Sequence, residues 1–331
     1  MSKHVRSFTI LGIFAGLVSS AAFAQQQPPP LVNLGDAVVS GFSGTIPPAP
    51  GVRIPAGKTA ADLTFINPEG PSARVVDLSR PGFTWDGRYF NAPKTFDIKA
   101  KDVGQVFGIA LDDNSPPNIY VAATSAFGLN IVARTRDGAL ERRRKGGPGT
   151  GWMKGQFGLD LGGGPGAIYR IDGKSGVASL FANVTLDGVP NPAAGLGNLA
   201  YDAAHRQLFV SDLYTGMIHR FDLNGNDLEH YDHGVAGLAA IKQPTVGFDP
   251  RRRPDIANAA FDSENPDSWG FAPAQRRVFG LAAHGGRLYY SVVSGPQIWS
   301  VGITRDGRFD TDPRWETDVP AQAGALPVID I

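Results

Sequence analysis

The chain has 331 residues, of which 42% are hydrophobic and 19% charged, with 31 basic and 31 acidic side chains. That balance excludes a disordered chain and a nucleic-acid-coating protein, and the length suits one large all-β domain or two ordinary ones. There is no cysteine, which excludes a thiol enzyme, a zinc–thiolate protein and a lipid-anchored lipoprotein, and leaves an exported chain to stand on its core without disulfides.

At the N-terminus Lys3 and Arg6 precede the apolar run "FTILGIFAGLV" and the small-residue ending "SSAAFA". A charged n-region, an h-region and an A-x-A site at Ala22 and Ala24 predict a signal peptide over residues 1–24, cleaved after Ala24. The run is far short of the roughly 20 residues that span a bilayer. A secreted or periplasmic protein with no membrane span after cleavage is therefore expected. Removal of Lys3 and Arg6 leaves 29 basic against 31 acidic residues, close to neutral. Residues 25–33 open on "QQQPPP" and read as a polar, proline-rich leader acting as a flexible or extended spacer. The folded domain is expected over residues 34–331.

Further along, "DAVVSGFSGT" reads as a strand of its own. "SARVVDLS" looks like the third strand of a unit, with "RYFNAPKTFDI" around its fourth. Three later segments then align: "FGIALDDNSPPNIYVAAT" from Phe107, "GNLAYDAAHRQLFVSD" from Gly197 and "FGLAAHGGRLYYSVV" from Phe279. Each predicts a first strand (residues 109–111, 199–201, 281–283), a turn and a second strand (119–121, 208–210, 288–290). Third strands follow in "AIYRIDGKSG", "MIHRFDLNGN" and "QIWSVGITRDG", ending in Asp/Asn/Gly turns that favour hairpins. Fourth strands follow in "VASLFANV", "LEHYDHG" and "RWETDV". The 42 glycines and 26 prolines supply the many turns that such short strands need. Four antiparallel strands recurring about every 80 to 90 residues predict an all-β fold, a β-propeller built of four-stranded blades. The in-register recurrence of strands and turn favours this over an unrelated β-sandwich.

Two long insertions interrupt the repeat, at about residues 129–167 and 235–277. The first joins a second strand to a third, the second a fourth strand to a first. Because strands alternate direction, both insertions are expected on one face, over one mouth of the central channel. Loops this long in a compact domain are commonly functional or disordered. The final "LPVIDI" resembles the opening of a further first strand. Four blades are recognisable, five if "DAVVSGFSGT" begins another, so either the N-terminal segment closes the ring or the chain is a fragment ending at Ile331.

The stretch "GNLAYDAAHRQLFVSDLYTGMIHRFDLNG" resembles a blade of the six-bladed propellers of the NHL-repeat and gluconolactonase–regucalcin superfamily, and the likeness covers roughly residues 65–318. It implies a six-bladed propeller and, for the enzymes of that group, a metal-dependent lactonase-like hydrolase with calcium held by carboxylate and amide oxygens in the channel. One implied ligand is the asparagine of an N-G pair opening a first strand. Here the order is Gly197–Asn198, and the matching positions at the channel mouth are Phe107 and Phe279, which cannot ligate a hard cation. The aspartate of the D-G pair that the resemblance implies is missing before Leu281, and Asp36 stands without the context of the implied N-terminal glutamate. Asn198 and Asp212 remain as the catalytic or metal-ligand candidates, Asp212 doubling as a turn cap. His230 and His233 in "EHYDHG" lie three apart, on opposite faces of a strand, and are expected at the surface.

Basic clusters mark the insertions. Residues 129–167 hold seven basic and three acidic side chains, including Arg142, Arg143, Arg144 and Lys145, with Trp152 nearby. "FDPRRRP" places Arg251, Arg252 and Arg253 in the second insertion, with Trp269 beyond. Two arginine triplets converging on one face point to a binding surface for a protein, a glycan or a small anionic ligand. A solvated loop is the plainer reading, and nucleic acid is not expected as a partner of an exported neutral protein. "GGPGTG" and "LGGGPG" lack the Lys-Ser/Thr of a phosphate loop, and no G-x-S-x-G elbow is present. Three roles are thus left: a binding module acting through the insertion face, a lactonase-like hydrolase, or a structural module of a longer surface protein.

Overall fold

The structure, a computed structural model, describes residues 30–79, 92–320 and 327–331. The signal peptide, the beginning of the leader and the "RYFN" of the first expected fourth strand lie outside these residues.

Four antiparallel sheets follow one another along the chain. The first holds Asp36–Ser40, Pro71–Asp77 and Lys94–Lys99 in that order. The second holds Val106–Leu111, Ile119–Ala123, Ala167–Ile171 and Ala178–Asn183. The third runs Leu196–Asp202, Gln207–Asp212, Ile218–Asp222 and Asp227–Tyr231, and the fourth Val278–His284, Arg287–Val292, Gln297–Gly302 and Arg314–Asp318. Every sheet is a meander, and the first strands of successive sheets pack side by side. This is a β-propeller.

Strand periodicity explains the stacking. Successive side chains of a strand point to opposite faces, and both faces are covered here. In Gln207–Asp212, Leu208 and Val210 enter the core shared with the second sheet, while Phe209 enters the core shared with the fourth. In Ile119–Ala123, Ile119 and Val121 face the first sheet, and Tyr120 and Ala122 the third. The third-to-fourth turns are closed by aspartates that cap their own backbone. Asp172 accepts from the amides of Lys174 and Ser175, and Asp222 from those of Asn224 and Asn226.

The first strands carry a shared irregularity. Register shifts fall at Val106/Ile109, Leu196/Leu199 and Val278/Leu281, so the pairs Phe107–Gly108, Gly197–Asn198 and Phe279–Gly280 bulge out of the ladder. Freed main-chain groups need partners, and serines supply them. Ser211 Oγ accepts from the Asn198 amide at 2.9 Å and donates to the Phe279 carbonyl at 2.6 Å. Ser291 Oγ accepts from the Gly280 amide at 2.7 Å and donates to the Val328 carbonyl at 2.5 Å. Ser40 Oγ donates to the Phe107 carbonyl at 2.9 Å.

Three expectations are corrected. Pro71–Asp77 is the second strand of its sheet, and "DAVVS" is the first strand of that same sheet, pairing Asp36 with Asp77 through Ser40 with Ala73. Four blade-like sheets are therefore found among the described residues. The leader does not run free to residue 33: the Leu31 amide donates to the Gly173 carbonyl at 3.1 Å, and Val32 is buried in the first core. Residues 327–331 form no strand, but lie against the bulges of the third and fourth sheets, where Asn198 Nδ2 donates to Asp330 Oδ1 at 2.8 Å.

Candidate functional site

Both insertions leave the same end of the sheets and interlock. The first builds a small sheet in which Ile131–Arg134 lies between Leu140–Arg143 and Gly151–Trp152. Its edge then meets the second insertion through main-chain bonds. Gly146 N–H donates to Phe261 O at 2.8 Å, Gly147 N–H to Ile256 O at 3.0 Å, and Ser263 N–H to Arg144 O at 2.8 Å. A Cβ on Gly146 would lie 2.2 Å from the Asn258 carbonyl oxygen, so this junction requires glycine. Lys145 Nζ meets Asp262 Oδ2 at 2.6 Å, which holds the Asp262 carboxyl below its ordinary range. The two insertions are one cap.

Trp152 and Trp269 are the pins of that cap rather than ligand-facing surfaces. Trp152 stands edge-on to Phe157 at 5.0 Å and to Phe261 at 5.9 Å. Trp269 is 6% exposed, packs on Phe271 and donates from Nε1 to the Asp262 carbonyl.

The arginine triplets occupy separate grooves instead of converging. Arg142–Arg144 border an open groove of about 560 Å³ with Lys58, Thr59, Asp62 and Glu141. Arg142 donates to the Ala61 carbonyl at 3.0 Å, Arg144 pairs with Asp62 and Glu264 at 3.3 and 3.5 Å, and Lys58 pairs with Glu141. The Thr59 amide and hydroxyl, with Arg144 adding, lower the Asp62 pKa. Of the segment's positive charges, those of Arg144 and Lys145 are therefore neutralised by acids from outside it, Asp62 and the second insertion's Asp262 and Glu264. Arg143 is exposed and its guanidinium has no partner among the described residues. In the second triplet Arg251 points to solvent, held by both oxygens of Asp249. Arg253 donates to the Pro190 carbonyl at 2.7 Å and lies 5.9 Å from the Tyr214 ring centroid. Tyr214 and Phe248 line the second groove, a cavity of about 340 Å³, and burial raises the Tyr214 pKa. Arg252 borders the adjoining pocket with Phe271.

Phe107 and Phe279, the residues expected at the channel mouth, meet edge to face at 5.6 Å, and Phe248 and Phe271 of the cap join the apolar cluster around Phe279, Leu213 and Tyr214. The donor set expected of a calcium site is not assembled. Asn198 Oδ1 accepts its neighbour's Leu199 amide at 2.8 Å, and its Nδ2 is turned to Asp330. Asp212 is buried and accepts from Asn191 Nδ2, the Tyr214 amide and the Thr215 hydroxyl at 2.6, 3.0 and 2.8 Å. Among the described residues no group of three or more His, Asp or Glu side chains is arranged to hold a metal. These residues do not fit a hard divalent cation.

His233 is also displaced from expectation. The chain leaves the strand at Asp232 and winds through a π-helical turn, His233–Gly237, which carries the imidazole inward. It is fully buried, 4.7 Å from the Trp299 ring, with Nδ1 at 3.1 Å from the Tyr290 hydroxyl. Burial, reinforced by the Arg276 charge, lowers its pKa to about 4. Arg276, equally buried, donates to the Val246 carbonyl and to Asp232 Oδ2. Sequence reading missed this network, since its members lie on an insertion and on strands far apart along the chain.

No family model matches the chain, and no curated protein matches its sequence. Solved structures are similar at a distance. A nidogen/laminin complex matches at 13% identity over 77% of this chain and 60% of that one, with a TM-score of 0.37. AztD from Citrobacter koseri matches at 13% over 90% and 60%, with 0.30. The PQQ-bound aldose sugar dehydrogenase of Streptomyces coelicolor matches at 15% over 87% and 86%, with 0.29. The chain spans about 60% of the length of the first two. Likenesses this distant assign no activity, and the architecture rests on the sheets themselves.

Proposed function

We propose that the chain is an exported β-propeller that acts as a binding module for an anionic partner, through the face covered by the two insertions. The signal-peptide pattern of residues 1–24 supports export to the periplasm or beyond. The single observation that carries the binding reading is the cap: two insertions interlock through residues more than a hundred positions apart and present the unpaired Arg143 beside an open groove of about 560 Å³. Arg142, fixed by the Ala61 carbonyl, and the Thr59 hydroxyl border the same groove. Guanidinium groups held in place recognise carboxylate, sulfate or phosphate oxygens in a bidentate manner. The lactonase reading loses its support with the donor set, because Asn198 and Asp212 are committed to the fold. Binding of polyglutamate or of a sulfated oligosaccharide, measured calorimetrically at low and raised salt, tests the proposal. Salt-sensitive binding that is lost in R142A/R143A is expected.

A further inference from the structure

A different cavity lies at the flank of the fourth sheet, between the second insertion and the strand Arg314–Asp318. It measures about 480 Å³, within the roughly 300–1,000 Å³ of small-molecule sites. Its walls are Leu238, Ile241 and Val292, and among the described residues none of the side chains lining it is charged. In this it is unlike the two arginine grooves.

Three features give it a chemical character. Trp315, 48% exposed, borders it on the outermost strand. The register shift that leaves Glu316 outside the pairing, between Ile298↔Thr317 and Trp299↔Trp315, is the kind of bulge that re-aims a side chain. Gln243 and Gln275 also border the cavity, and their side-chain carboxamides have no hydrogen-bond partner among the described residues. Gln297, by contrast, is fixed by Asp318 and by the Trp299 indole N–H. The floor is firm, because Val246 accepts from the buried Arg276.

We infer that this cavity binds a neutral sugar unit. A pyranose has one face of C–H groups and a rim of hydroxyls that both donate and accept. An exposed indole offers an apolar face for the first. A free carboxamide offers both a donor and an acceptor for the second. The absence of charge from the lining disfavours an acidic sugar, and the two free amides would be left unpaired against a wholly apolar guest, at a cost in desolvation. The inference goes beyond the anion-binding reading and stands without it.

The full mature chain is titrated with maltose, cellobiose and N,N′-diacetylchitobiose, following tryptophan fluorescence, with glucuronate and an anilinonaphthalene dye as comparators. A saturable change with at least one neutral disaccharide is expected. It should be absent in W315A and about ten-fold weaker in Q243A/Q275A, the size of a lost hydrogen-bonding pair. R143A should bind the disaccharide as the parent does, which separates this site from the arginine groove. Trp315, Gln243 and Gln275 are all exposed, so the variants are expected to melt with the parent. The inference is overturned if no neutral disaccharide binds, if binding survives in W315A, or if only the dye or glucuronate binds.

Discussion

Among single residues, Asp212 and His233 show how differently sequence and fold speak. The turn role of Asp212 is legible in "SDLYTG", because an aspartate before such a turn has its own backbone to cap. Its removal strands three donors in a buried site. Asp212→Ala is therefore expected to lower unfolding free energy by about 2–4 kcal/mol, read from urea denaturation, whereas a purely ligand-facing aspartate would leave stability unchanged. The burial of His233 was not legible, since nothing in "EHYDHG" announces that the chain abandons the strand at Asp232. Its pKa has a consequence for stability. The imidazole is neutral in the fold, with a pKa lowered from 6.5 to about 4 by burial first and by Arg276 second. On acidification the unfolded chain takes up the proton first. The stabilisation is thus full above pH 6.5 and drains as pH falls towards 4, by up to about 3 kcal/mol. Comparison of the pH dependence of stability in the parent and in His233→Gln should show this slope in the parent alone; equal slopes would place the acid sensitivity elsewhere.

Between elements, the decisive contact is the seam of the cap. That both insertions would share a face follows from strand parity alone, because second-to-third and fourth-to-first connections emerge at the same end of a meander. What they do there is set by partners more than a hundred residues distant, which no local pattern exposes. Trp152 beside a basic run resembles a ligand platform in the sequence, yet its ring is spent on Phe157 and Phe261. Likewise, part of the surplus charge of residues 129–167 is met by Asp62, Asp262 and Glu264, which pair with Arg144 and Lys145 and leave Arg143 free. Phe261 is 2% exposed, and Phe261→Ala should cost about 3–5 kcal/mol of cap packing. Hydrogen exchange reads this locally: the amides of Gly146, Gly147 and Ser263 should lose protection while those of Leu208–Val210 keep theirs. Retained protection at the seam would mean that the main-chain bonds hold without the aromatic contacts.

For the whole molecule, the propeller depends on how closely its first strands approach. The repeat that announces the fold was legible because hydrophobic alternation and Asp/Gly turns recur in register at Phe107, Gly197 and Phe279. The bulges within those strands, and the serines that satisfy them, were not, because a bulge leaves no local signature beyond a glycine. A Cβ on Gly108 would lie 2.8 Å from Asn198 Cα, whereas one on Gly41 would meet nothing within 4 Å. Overpacking between backbones costs about 1–3 kcal/mol or more, so Gly108→Ala should lower the melting temperature and Gly41→Ala should leave it nearly unchanged. The packed sheets support the cap, and the cap is where the proposed function resides. The measurement that tests it most directly is calorimetric binding of polyglutamate and of a sulfated oligosaccharide to the mature chain and to R142A/R143A. Saturable, salt-sensitive binding in the parent, lost in the variant with its melting curve intact, is the result expected. No binding of either polyanion, or binding that the variant retains in full, would contradict the account.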